Sequence, residues 1–129
     1  MLKGKKILIA DDNRLNQRIL IFVLEKNGAK VTTANNGLEA IEHLKNDTFD
    51  TVIMDLQMPE MGGLEASTYI RETLNNKTPI IGLTANNLER DNKMCLDAGM
   101  NICVSKPFEP AELCSIISEI IQNQNNTCQ

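Results

Sequence analysis

Apolar and polar positions along this chain fall into short blocks with two different periods. Ile7 to Ala10, Thr51 to Met54, Ile80 to Leu83 and Ile102 to Ser105 are unbroken strand-like runs, and Lys30 to Ala34 is a short second strand in chain order. Unbroken apolar runs bounded by turn signals read as strands buried on both faces. Helical patterns lie between them. Asn13 caps a helix through Lys26 with Gly28 as its stop, and Gly37 to Lys45 carries Leu38, Ile41 and Leu44 at helical spacing. Gly62-Gly63 marks a turn into a helix from Leu64 to Leu74, and Asn87 to Ala98 forms another, ended by Gly99. In the last, opened by Pro110, residues Leu113, Ile116, Ile117, Ile120 and Ile121 form one apolar stripe. Five strands alternating with five helices predict an α/β fold, a doubly wound five-stranded parallel sheet.

Four of these strands end in polar residues. Ala10 runs into Asp11-Asp12, Met54 into Asp55, Leu83 into Thr84, and Ser105 into Lys106. In an open parallel sheet the ligand site lies at the carboxyl ends of the strands, so parallel pairing would gather all of these residues in one crevice. Taken singly, each has an ordinary reading. An acid pair can cap a helix, a threonine can serve strand propensity, and a lysine can simply be solvated. Together they suggest chemistry. Crowded carboxylates raise one another's pKa unless a cation is bound, and magnesium suits hard oxygen ligands. An aspartate carboxylate can also attack phosphorus directly and form an acyl phosphate, with Asp55 as the candidate.

Asp11-Asp12, Met54-Asp55-Leu56-Gln57-Met58-Pro59, Thr84-Ala85 and Lys106-Pro107 resemble the motifs of the receiver domain of two-component response regulators, over about Lys5 to Ile121. Asp12-Asn13, Asn16-Gln17, Leu83-Thr84-Ala85-Asn86, Ala98-Gly99-Met100 and Ser105-Lys106-Pro107 are most similar to receivers attached to hybrid sensor histidine kinases. The resemblance implies a flavodoxin-like (βα)5 fold and a phosphoryl group taken from a phosphohistidine onto Asp55. It further implies Mg2+ held by Asp12, Asp55 and the backbone carbonyl of Gln57, with Asp11 acting mainly through a metal-bound water. Lys106 would pair with the acids and then with the phosphoryl group, and Thr84 would hydrogen-bond a phosphoryl oxygen beside the small Ala85. The implied partner is a histidine kinase or a histidine phosphotransfer protein. The module would not be an enzyme beyond its own phosphorylation and dephosphorylation. The family pattern also implies a cis Lys106-Pro107 bond.

One position departs from that pattern. Receivers usually carry an aromatic ring three residues before the lysine, and this chain has Cys103 there. A small thiol cannot fill or vacate a ring's volume, so the conformational signal to the fourth and fifth helices is expected to be muted. Gln57 and Asn86 flank the expected water path to the phosphorus, and amides cannot accept a proton at neutral pH, so a fairly long-lived phosphoryl group is expected.

Composition narrows the alternatives. The 129 residues suit one domain over residues 1–122, followed by a disordered polar tail at 123–129. A formal charge of -4 argues against direct nucleic-acid binding, and no apolar run is long enough to cross a bilayer. A cytoplasmic monomer with reduced cysteines is therefore expected, with Cys128 the exposed thiol. His43 reads as a surface helix residue, and Met54, Met58 and Met61 as packing. A phosphohydrolase of the haloacid dehalogenase type would need an acid where Gln57 stands, and a docking domain that is never phosphorylated would not need the Asp, Thr and Lys set.

Overall fold

Side chains alternate across the strands, and in the three central ones both sets are buried, which requires a layer of helices on each side of the sheet. The computed structural model describes residues 2–85, 88–106 and 109–127. The strands are β1 (Lys6–Ala10), β2 (Lys30–Ala34), β3 (Thr51–Asp55), β4 (Ile80–Thr84) and β5 (Ile102–Ser105). The helices are α1 (Arg14–Lys26), α2 (Gly37–Asn46), α3 (Gly63–Glu72), α4 (Leu88–Asp97) and α5 (Pro110–Thr127). All strand pairs are parallel, in the order β2-β1-β3-β4-β5. This is the doubly wound sheet that the alternating pattern predicts.

Two apolar cores sandwich the sheet. Ile7, Ile9, Ile53, Ile81 and Leu83 share one with Leu20 and Leu24 of α1 and Leu113, Ile117 and Ile121 of α5. Leu8, Ala10, Val52, Met54 and Ile80 share the other with Ala40, Ile41 and Leu44 of α2, Ala66 and Ile70 of α3, and Cys95 of α4. The single α5 stripe read from the sequence divides in the structure. Leu113, Ile117 and Ile121 are buried, while Ile116 and Ile120 are half-buried at its edge. Helical backbone continues to Thr127, so residues 123–127, expected in the polar tail, lie within α5 as described here. Cys128 lies outside the described residues.

Local chemistry sets the helix ends. Asn13 Oδ1 accepts the Leu15 and Asn16 amides at 2.9 and 3.2 Å and caps α1, and Gly28, at φ +97°, provides the left-handed residue that ends it. Asn36 caps α2 through the Glu39 amide at 2.9 Å. At the amino edge of the sheet, one side chain fastens several segments. Arg71 of α3 donates from Nε to the Gly99 carbonyl, from Nη1 to the Asn76 and Thr78 carbonyls, each at 2.8 Å, and from Nη2 to Asn101 Oδ1 at 3.1 Å. Ser67 Oγ donates to the Ala98 carbonyl at 2.9 Å nearby. Cys95, Cys103 and Cys114 are buried free thiols, and burial pushes Cys95 up to about 12.

Candidate functional site

The strand order reverses between β1 and β3, and the carboxyl ends of these two strands form the edge of a crevice. Asp11 leaves β1 there and Asp55 ends β3. Lys106 follows β5, and its amide donates to the Thr84 carbonyl at 2.7 Å, so the ends of β4 and β5 are tied where their functional side chains emerge. Asp55, Gln57, Thr84, Ala85 and Lys106 line one cleft of about 420 Å³, together with Asp91.

Lys106 Nζ lies 2.8 Å from Asp55 Oδ2 and 4.0 Å from Asp11 Oδ2. Asp55 Oδ1 accepts the Gln57 amide at 3.3 Å. Asp11 is fully buried, with Oδ1 accepting the Asn13 amide at 2.9 Å. Its other oxygen, Oδ2, has no hydrogen-bond partner, alone among the buried side-chain nitrogen and oxygen atoms of the described residues. Burial raises the Asp11 carboxyl above the usual carboxylate range; the Asn13 amide opposes this, and Asp55 adds to it. Gln17 holds the Asp11 backbone in place, its Nε2 donating to the Asp11 carbonyl at 2.5 Å and to Asn35 Oδ1 at 3.0 Å.

Asp11, Asp12 and Asp55 each bring a carboxylate oxygen within 4.8 Å of the others, Asp12 from an exposed position and the other two from buried ones. One ammonium cannot balance three carboxylates. The orphaned Asp11 oxygen and the all-oxygen donor set fit a hard divalent cation. The structure thus brings together Asp11, Asp12, Asp55, Thr84 and Lys106 as the strand ends predicted. Pro107 and Asn86, on which other expectations fall, lie outside the described residues.

Gly62 and Gly63 are expected at a turn, but close packing is what requires them. A Cβ on Gly63 would lie 2.3 Å from the Asp55 carbonyl oxygen, and one on Gly62 would lie 2.7 Å from the Leu56 carbonyl oxygen. Gly62 has an ordinary φ of -80°, so space rather than backbone freedom selects glycine. Gly63→Ala should cost about 1–3 kcal/mol and displace the Asp55 loop. Urea unfolding with a parallel magnesium titration checks this; wild-type stability in the variant would show that the loop yields freely.

One cleft residue was missed from sequence. Asp91 of α4 is buried and accepts a hydrogen bond from Thr84. The available signal was helical spacing, because Asp91 shares a face with Cys95 and Ala98, four and seven residues on, and so puts a charge on the packed side of the helix.

Comparison with known proteins points the same way. The response regulator receiver domain family matches residues 7–118. Hybrid signal transduction histidine kinase K of Dictyostelium discoideum is 42% identical over 127 residues, covering 92% of this chain and 10% of that protein. Histidine kinase 3 of Arabidopsis thaliana is 38% identical over 149 residues, covering 98% of this chain and 14% of that protein. The chain thus spans only a small part of these curated relatives. Among solved structures, the receiver domain of sensor histidine kinase PA1611 from Pseudomonas aeruginosa PAO1, with a magnesium ion coordinated in its active site cleft, superposes with a TM-score of 0.83 at 37% identity, covering 92% of this chain and 98% of that one. The Francisella response regulator 1452 receiver domain superposes with a TM-score of 0.88 at 26% identity, covering 94% and 99%.

Proposed function

The chain belongs to the response regulator receiver domain family, and from that premise we propose that Asp55 accepts a phosphoryl group from a phosphohistidine and that this alters partner binding. The observation that carries the assignment is one cleft in which Asp11, Asp12 and Asp55 converge and Lys106 lies 2.8 Å from Asp55. A carboxylate oxygen of Asp55 bonds to phosphorus as the phosphorus–nitrogen bond breaks, and the electron pair stays on the histidine ring. Lys106 orients Asp55 beforehand and neutralises the added charge afterwards. The Thr84 hydroxyl then donates to a phosphoryl oxygen, with Ala85 leaving room beside it.

Asp12, Asp55 and the Gln57 backbone carbonyl would hold Mg2+, with Asp11 close by, and the ion when bound offsets the charge of the carboxylates and of the incoming group. The catalysis is limited to the chain's own phosphorylation and hydrolysis, carried out by a unit over residues 1–122. Incubation with a small acyl phosphate and magnesium should yield a hydroxylamine-sensitive label that chelation prevents. Failure to label under these conditions would sink the proposal.

The donor is a histidine kinase or a histidine phosphotransfer protein. Its docking surface is assigned to α1, where Leu15 and Ile19 are 65% and 42% exposed and Arg18 provides a charged edge. Leu15→Asp should slow transfer from a phosphohistidine protein about tenfold while leaving labelling by a small acyl phosphate unchanged. Equal slowing of both reactions would remove α1 from the docking surface.

A further inference from the structure

The hydroxyl of Thr84 is already engaged in the structure. Thr84 Oγ1 donates to Asp91 Oδ2 at 2.5 Å, and both residues are buried. Both make further interactions as well. An ionised carboxylate only accepts, so this bond aims the single Thr84 hydroxyl proton at α4. The same proton cannot at once serve a phosphoryl oxygen on Asp55. Thr84 must exchange one acceptor for the other.

The packing beneath α4 shows what that exchange would disturb. Gly82 of β4 lies beside Cys103 of β5 in register, and a Cβ at Gly82 would come within 2.6 Å of Met100 Sδ and 3.3 Å of Cys95 Sγ. Cys95 and Cys103 belong to the same apolar core on that face of the sheet. With a thiol at position 103 the helix sits directly on the sheet, and Asp91, one turn before Cys95, bridges its amino-terminal end to Thr84. This contact between Thr84 and α4 is made by a carboxylate and needs no ring on β5.

We infer that Asp91 is the positioning residue that reads the state of Thr84, holding its hydroxyl in the resting form and freeing the amino-terminal end of α4 when a phosphoryl oxygen takes over that hydrogen bond. The inference rests on the proposed role of Thr84 toward a phosphoryl group. It also revises the expected muting: the signal is confined to α4, and α5 stays quiet.

Amide NMR and titration with beryllofluoride plus magnesium, a mimic of the phosphoryl group, test the assignment. Without any ligand, Thr84→Val should already shift the amides of residues 91–97, and unchanged amides there would overturn the inference. In the wild type, beryllofluoride should move those amides far more than the amides of Ile116 and Ile120; the reverse order would also overturn it. Asp91→Ala removes the competing acceptor, so beryllofluoride should bind about tenfold more tightly than to wild type, with Asp91→Asn in between. Affinity equal to or weaker than wild type in Asp91→Ala would refute the hold on Thr84. In the Thr84→Val background, Asp91→Ala should lose that tenfold gain, because the bond through which Asp91 acts on Thr84 is already gone. A change of the same size there would make Asp91 merely structural. Failure of the wild type to bind beryllofluoride at all would defeat the phosphoacceptor reading instead, and the ligand-free comparison would still decide the role of Asp91.

Discussion

Asp55→Asn is expected to abolish phosphoryl incorporation from a small acyl phosphate, by at least about a hundredfold. The amide matches the carboxylate in size, so the cleft keeps its shape while losing the proposed nucleophile. Asp55 is the only one of the three clustered acids paired at hydrogen-bond distance with Lys106, which is 2.8 Å away and lies 4.0 Å from Asp11. Asp12 is exposed beyond the end of β1, and the free oxygen of Asp11 is buried. Neither is positioned as Asp55 is. Mass measurement of intact protein after exposure to the donor, with hydroxylamine as the control, reads the result. Persistence of a hydroxylamine-sensitive label in the variant would move the acceptor to another carboxylate.

Asp11→Asn is expected to stabilise the metal-free protein at neutral pH by about 1–2 kcal/mol while weakening magnesium binding at least about tenfold. The buried Oδ2 of Asp11 has no donor, so its charge is costly without a cation, and an amide keeps the oxygen that accepts from Asn13. The pH dependence follows from the raised carboxyl, whose main cause is desolvation. A raised folded value means that the native state binds the proton more tightly than the unfolded chain does. Stability then falls as pH climbs from the ordinary value of 3.8 through the raised one, and the full penalty applies above it. Thermal melts in chelator should show the variant ahead by roughly 5 °C at pH 7, with the gap closing under acid conditions where Asp11 is protonated. Saturating magnesium should close the gap from the other side, because ligand binding stabilises the wild type. A variant that melts below wild type at pH 7 without metal would contradict this account.

Much of the molecule is legible in the chain because its central strands β1, β3 and β4 are buried on both faces, which writes them as unbroken apolar runs. Asp55, Thr84 and Lys106 are readable for the same reason, each standing where such a run meets water at the sheet edge. The α5 stripe is readable because one helix face does all the packing. Other features depend on approaches between distant segments that no local pattern records. Gly62 and Gly63 look like turn residues until the backbone of Asp55 and Leu56 is seen pressing on them. Helical spacing puts Asp91 on the packed face of α4, but only the fold shows that its partner there is Thr84. The expectation of a muted output rests on Cys103 alone, and only the folded chain brings Asp91 into view as a partner for Thr84.

Arg71 gives this last pair a mechanical setting. Its guanidinium and the hydroxyl of Ser67 fasten the carbonyls of Ala98 and Gly99, just beyond the carboxyl end of α4, while the amino end of the helix is held to Thr84 through Asp91. If Thr84 releases Asp91 as inferred, the helix would act as a lever with its fulcrum at the Arg71 end. Asp91 lies seven residues from Ala98, roughly 10 Å along the axis. A displacement of about 2 Å at Asp91, the scale of helix shifts in known switches, would tilt the helix by roughly 10°. The exposed side chains of Met94 and Leu96 would ride on that arm, turning one exchanged hydrogen bond into a reoriented apolar surface.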